Sequence, residues 1–250
     1  PIPASENNDN LVPTANCFMV EPGGSFCFDP FACQQNGTEI TNSQMTGWYG
    51  TASTGIKSVK LLWQTRENGD VGDPVMGIAN SDDDHTNIVD IKRTIDNSDT
   101  NTVPANDKGQ CRIYCRVAAN TTGGNGAIAA YDGPDGTGNI VWSWHVWVTD
   151  YKPDTRGGEQ VLEPVNKRKL LFSLNNASVL PMMDRNLGAM AGYVDEAPTS
   201  FVEMSKTNGF HYQWGRKDPF PSSYTTKKIS VINNKNSSTP PEGMLNRYAE

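Results

Sequence analysis

The stretch Ile140-Val-Trp-Ser-Trp-His-Val-Trp-Val148 constrains what this chain can fold into more than any other. Its even positions, Ile140, Trp142, Trp144, Val146 and Val148, are all apolar, while its odd positions include Ser143, His145 and Trp147. Successive side chains of an extended segment point to opposite faces, so this alternation sends the even set to one side. Two indoles there can fill the roughly 10 Å layer between stacked sheets. Trp142, Trp144, Val146 and Val148 are therefore the expected structural core. The run is also far shorter than the ~18 apolar residues of a membrane-crossing helix, so no transmembrane span is expected.

Other segments repeat the extended pattern. Cys111, Ile113, Cys115 and Val117 alternate with Arg112, Tyr114 and Arg116, and Val59, Leu61 and Trp63 alternate with Lys60 and Gln64. Cys17–Val20 and Ser25–Phe28 flank the turn Glu21-Pro-Gly-Gly24, and Ala127–Tyr131 and Asn139–Thr149 flank Asp132-Gly-Pro-Asp-Gly-Thr-Gly138 as a hairpin. Residues 11–150 hold no convincing helical period. The chain's 23 Gly and 16 Pro punctuate these runs as turns. The expected fold is mainly β. A flexible lead-in (1–10) precedes an antiparallel β-sandwich (11–152), a linker (153–160) and a smaller irregular β-rich α+β region (161–250). In the last region Lys169–Leu174 and Lys228–Ile232 read as strands, and a short helix is expected from about Ser200 to Lys206.

At 250 residues the chain is long enough for one large or two ordinary domains. Residues 1–152 carry 9 basic and 18 acidic side chains, whereas residues 153–250 carry 12 and 10. That shift fits two units with different surfaces. The overall charge of −7 argues against holding nucleic-acid phosphates, so no nucleic-acid partner is expected. The cysteines are Cys17, Cys27, Cys33, Cys111 and Cys115, an odd number without a CxxC pair, which makes a zinc ribbon improbable. Cys111 and Cys115 share a strand face but stand roughly 13 Å apart along it, too far to bridge each other. Two readings stand for the set: small buried hydrophobes, or one or two disulfides among Cys17, Cys27 and Cys33 or from these to Cys111 or Cys115.

Few residues offer chemistry. His85, His145 and His211 are not within metal-ligand spacing of one another, and there is neither HExxH nor Gly-x-Ser-x-Gly. His145, on the outward side of the Trp strand, reads as a packed or interfacial histidine. Asp82, Asp83 and Asp84 would offer oxygen ligands to Ca²⁺, but their spacing does not fit an EF-hand and a solvated loop is the plainer reading. Asp132–Gly138 lacks the lysine of a phosphate loop and reads as a hairpin turn. No catalytic residue, metal or cofactor is expected; a hydrolase built on two carboxylates is the third-ranked reading.

The polar and aromatic clusters are Asp184-Arg-Asn186 and His211-Tyr-Gln-Trp-Gly-Arg-Lys-Asp218. An aromatic face with Arg, Asn and Asp hydrogen-bonding groups suits a sugar, which makes Asp184, Arg185, Asn186, His211, Tyr212, Trp214, Arg216 and Asp218 candidate ligand residues. The competing reading puts Trp214 in a core and pairs Asp184 with Arg216, or Arg185 with Asp218, to pin loops.

Four segments together resemble Bacteroides-type cell-surface proteins in which a fimbrillin-like β-sandwich is joined to a major paralogous domain. They are Ala15-Asn-Cys-Phe-Met-Val-Glu-Pro-Gly-Gly24, Val141–Tyr151, Met183-Asp-Arg-Asn-Leu-Gly-Ala189 and Gly209-Phe-His-Tyr-Gln-Trp-Gly-Arg-Lys-Asp-Pro-Phe-Pro221. The resemblance implies an immunoglobulin-like sandwich in an exported protein at the cell surface or outer membrane, anchored through a lipidated precursor N-terminus. It further implies a non-enzymatic fimbrial or adhesin component, with other surface or pilus subunits, or host or dietary glycans, as partners. Its second domain would be C-type-lectin-like, which makes a glycan-binding lectin the alternative function. That family's second domain continues past Asp-Pro-Phe-Pro with a Cys-Pro-x-Gly-Trp-Arg-type stretch that this chain lacks, so the domain is expected to be incomplete here, and the start at Pro1 is expected to reflect processing.

Overall fold

A computed structural model describes residues 16–35, 38–41, 55–65, 75–76, 89–117, 123–151, 169–170, 182–183, 185–193, 196–214 and 219. The lead-in 1–10, the linker 153–160, the acidic run Asp82–Asp84 and the expected strand Lys228–Ile232 lie outside them.

The fold is mainly β. One sheet has the order β1 (Cys17–Val20), β9 (Ile140–Val148), β8 (Gly124–Tyr131), β5 (Ser58–Gln64). A second has the order β2 (Ser25–Phe28), β7 (Cys111–Arg116), β6 (Val89–Arg93). Two smaller pairs are β3 (Ala32–Gln35) with β4 (Thr38–Thr41) and β10 (Lys169–Leu170) with β11 (Met182–Met183), and the helix α1 runs from Phe201 to Thr207. Of the expected strand Lys169–Leu174, Lys169–Leu170 is strand and residues 171–174 lie outside the described residues.

Both larger sheets contribute to one apolar layer. Phe18 and Val20 of β1, Val59 and Leu61 of β5, Ile128 and Ala130 of β8, and Trp142, Trp144, Val146 and Val148 of β9 meet Phe26, Phe28, Cys111, Ile113, Cys115, Val89 and Ile91 from the other sheet. Phe28 carries much of the contact, with ring centroids 4.4 Å from Phe18 and 5.1 Å, edge-on, from Trp144. Trp144 is fully buried. The alternation in β9 and β7 thus does what period two requires, placing Cys111, Ile113 and Cys115 inward and leaving Tyr114 exposed.

Three features depart from the sequence reading. First, Glu21–Gly24 is a corner between sheets: β1 runs parallel to β9, whereas β2 pairs antiparallel with β7. The four-stranded sheet is therefore mixed and not purely antiparallel. Gly24 suits the corner because a Cβ there would lie 2.8 Å from the Glu21 carbonyl oxygen and from Val20 Cγ2. Second, a bulge separates the pairs Leu61–Ile128 and Trp63–Ala127. One extra residue reverses the facing of everything beyond it, so Trp63 leaves the face of Val59 and Leu61 and joins Leu62 on the opposite side. Third, a register shift between Ala130 and Tyr131 takes Ile140 out of the inward set, and it packs half-buried against the outer cluster.

The β8–β9 connection is a hairpin turn, with a short 3-10 turn at Pro134–Gly136. Asp132 accepts hydrogen bonds from the backbone and side-chain amides of Asn139 at 2.7 and 3.1 Å, and Ser58 Oγ donates to the Gly133 carbonyl at 2.6 Å. The Asp132 carboxylate is held by the turn, whose backbone hydrogen bonds keep its pKa below the ordinary range. All five cysteines are unbridged; Cys111 and Cys115 are buried, and burial pushes the Cys115 thiol up to about 12. Cys111 and Cys115 pack as small hydrophobes, whereas Cys27 and Cys33 are half-buried and Cys17 is exposed.

Truncating Trp144 removes the ring that joins both sheets, so Trp144→Ala is expected to cost about 3–5 kcal/mol in urea unfolding. Tyr114→Ala, exposed on the outer side of β7, should change stability by no more than about 0.5 kcal/mol. Equal effects for the two would contradict a core placed between these sheets.

Candidate functional site

The odd positions of β9 are as buried as the even ones, because the opposite face of its sheet is also covered. Ala127 and Ala129 of β8 have small side chains and leave room between larger neighbours. Phe210 occupies that face in one cluster with Leu62, Trp63, Ala127, Ala129 and Tyr131. His145, 2% exposed, stands between Trp63 and Phe210, with ring centroids at 5.8 and 5.2 Å. It is a packed histidine, shielded by rings.

A turn at 185–190 completes the cover. Asn125 Nδ2 donates to the Gly188 carbonyl at 2.9 Å, and the Phe210 amide donates to the Leu187 carbonyl at 2.7 Å. Gly188 has φ +85°, and a Cβ there would lie 3.0–3.1 Å from the Phe210 ring and Asn125 Oδ1. Only glycine combines that backbone with so close an approach. Arg185 Nη1 donates to the Met190 carbonyl at 2.8 Å, and its guanidinium lies 4.1 Å from the centre of the Tyr151 ring. Tyr151 in turn packs 5.9 Å from Trp147. Arg185 thus fastens the turn to the end of β9.

Beyond this cover the side chains turn outward. His211, Tyr212, Gln213 and Trp214 are all exposed, and Trp214 is 103% exposed. Tyr212 stands edge-on to Phe210 at 6.3 Å. Partial burial of its phenol, with a smaller contribution from Cys17, pushes its pKa up to about 12, so the hydroxyl remains a hydrogen-bond donor at neutral pH.

Helix α1 is fixed to the same turn, since the Lys206 carbonyl accepts from the amides of Met190 and Ala191. Its start is a capping box: Ser200 Oγ accepts from the Glu203 amide at 3.2 Å, while Glu203 Oε2 accepts from the amides of Thr199 and Ser200 at 2.7 and 3.0 Å. The sequence reading placed this helix within a residue of its observed ends. It did not anticipate that Phe201, Val202 and Met204 face solvent.

The candidate ligand residues are therefore split. The Leu187–Phe210 hydrogen bond brings the Arg185-Asn186 turn beside the segment that continues to His211, Tyr212 and Trp214. Arg185 is half-buried and engaged within the fold, whereas Asn186 is exposed. Asp184, Arg216 and Asp218 lie outside the described residues. The reading that puts Trp214 in a core is overturned by its full exposure. Phe210 and Asn125, which help organise the cover, were not singled out in the sequence, and Trp63 was read there on the face of Val59 and Leu61; the aromatic residues of the 210–214 segment were the available signal. Among the described residues no group of three His, Cys, Asp or Glu converges to hold a metal, and no helix is long and apolar enough to cross a membrane.

No family model matches the chain, no curated protein is similar to it, and no solved structure matches its fold.

The Glu203 carboxyl is held below its ordinary range, chiefly by the Thr199 amide. A depressed carboxyl pKa stabilises at pH values above the unfolded pKa of about 4.3, and that stabilisation is lost as the pH falls through the folded value. Amide exchange in α1 should therefore accelerate below about pH 4 relative to the β7 amides. Glu203→Gln should abolish that difference; an unchanged pH profile in the variant would contradict the capping role.

Proposed function

We propose that this protein is a non-enzymatic surface component that works in attachment or assembly, of the fimbrial-adhesin kind that the sequence resemblance implies. The observation that supports this most is where exposed apolar side chains fall. Among the described residues, seven of the ten exposed large hydrophobics lie between Leu187 and Trp214: Leu187, Tyr193, Phe201, Val202, Met204, Tyr212 and Trp214. Scattered exposed apolar residues are ordinary, and it is their concentration along this one segment that supports a surface that contacts something. The backbone bonds from Leu187 to Phe210 and from Lys206 to Met190 and Ala191 hold these residues on one supported substructure. A rigid support lowers the ordering cost of binding. Among the described residues the sheet orders end on β1, β5, β2 and β6, and edge strands can add a partner's strand through backbone hydrogen bonds, which would serve assembly. On this reading the protein is exported and displayed at the cell surface, and it needs no cofactor.

The full chain is coated on beads and scored for adhesion to epithelial and bacterial cell layers, with sedimentation velocity reporting self-association in parallel. Phe201→Ser combined with Met204→Ser alters only exposed positions and should leave Tm unchanged. The double variant is expected to lose about tenfold in whichever activity the wild type shows. Full activity in that variant, or a wild-type chain that neither adheres nor associates, would contradict the proposal.

A further inference from the structure

We infer that Tyr212 and Trp214 form a platform for a pyranose ring, so that the ligand class of the proposed attachment surface is carbohydrate; this inference rests on the attachment reading. Trp214 stands clear of the fold, with a relative exposure of 103%, so both faces of its indole are available. An apolar peptide side chain gains most by entering a pocket that removes it from water on all sides. A pyranose instead has one patch of C–H groups that can lie flat on an aromatic face while its hydroxyls stay hydrated, and a projecting indole suits that geometry.

The platform is braced from below. Ring centroids step from Trp63 to His145 at 5.8 Å, from His145 to Phe210 at 5.2 Å and from Phe210 to Tyr212 at 6.3 Å. The first three rings are buried, and the fourth is 58% exposed. Tyr212 is thus the surface end of an aromatic column rooted on the sheet, and Trp214 lies two residues further along the chain. Between and beside them His211 and Gln213 are exposed and supply hydrogen-bonding groups that can accept from and donate to sugar hydroxyls. The Tyr212 hydroxyl adds a donor. The contact chemistry is therefore aromatic faces alternating with polar hydrogen-bonding groups.

The full-length chain is applied to a microarray of plant, bacterial and host oligosaccharides, and the best binder is titrated calorimetrically. Trp214→Ala and Tyr212→Ala change exposed residues, and circular dichroism should show an unchanged fold. Trp214→Ala is expected to weaken binding about tenfold or more and Trp214→Phe to retain most of it. Free oligosaccharide should compete with bead adhesion. A blank array, or equal affinity for wild type and Trp214→Ala, would overturn the carbohydrate inference. If the array is blank while coated beads still adhere, the attachment reading survives without it; if neither binds, both fail.

Discussion

The structure depends on a single strand that must be hidden on both sides. Eight of the nine residues of β9 are buried, and its two faces make different demands. The even side carries Trp142, Trp144, Val146 and Val148, and the second sheet covers it with Phe26, Phe28 and the inward residues of β7. The odd side carries His145 and Trp147, and the indole would be costly to leave in water, at roughly 1.5–3 kcal/mol for a large apolar side chain. It is covered from the same chain, by Phe210 and the turn at 185–190. The C-terminal part of the molecule is tied to the sheet because the sheet has two apolar faces.

That arrangement also bears on where exposed apolar side chains collect. The turn that covers the sheet uses its inward atoms for support: Arg185 on Tyr151 and the Met190 carbonyl, the Gly188 carbonyl on Asn125, and Phe210 among the rings. What remains on its outer side is not polar in the usual way. Leu187, Phe201, Met204, Tyr212 and Trp214 stay in water although buried positions exist nearby. The segment thus packs closely inward, with Gly188 at the limit of approach, and still exposes apolar side chains outward, which is what supports the proposed attachment role.

The sequence revealed period-two patterns well, because side-chain alternation is a local property. The burial of Trp142 and Trp144, the inward Cys111-Ile113-Cys115 row, the β8–β9 hairpin and the helix after Ser200 were all legible for that reason. What escaped were events set by one residue or by distant partners. A single bulge residue moves Trp63 to the other face, and a register shift removes Ile140 from the inward row. The Pro-Gly-Gly corner looks the same in sequence whether it joins paired strands or passes between sheets. Of the candidate site, the residue types were legible in the Phe-His-Tyr-Gln-Trp segment. Which of them lay inside was not: Phe210 packs with Ala127 and Ala129 on the sheet, whereas Trp214, of the same parity, is exposed.

The central claim, that the outer face of β9 is closed by the C-terminal segment through Phe210, is tested most directly by nuclear Overhauser contacts in the intact chain with Phe210 and His145 selectively labelled. Ring protons of Phe210 should show cross-peaks to the His145 ring, whose centroid lies 5.2 Å away, and to the methyl groups of Ala127 and Ala129. Phe210 resonances at random-coil positions, without those cross-peaks, would contradict the account.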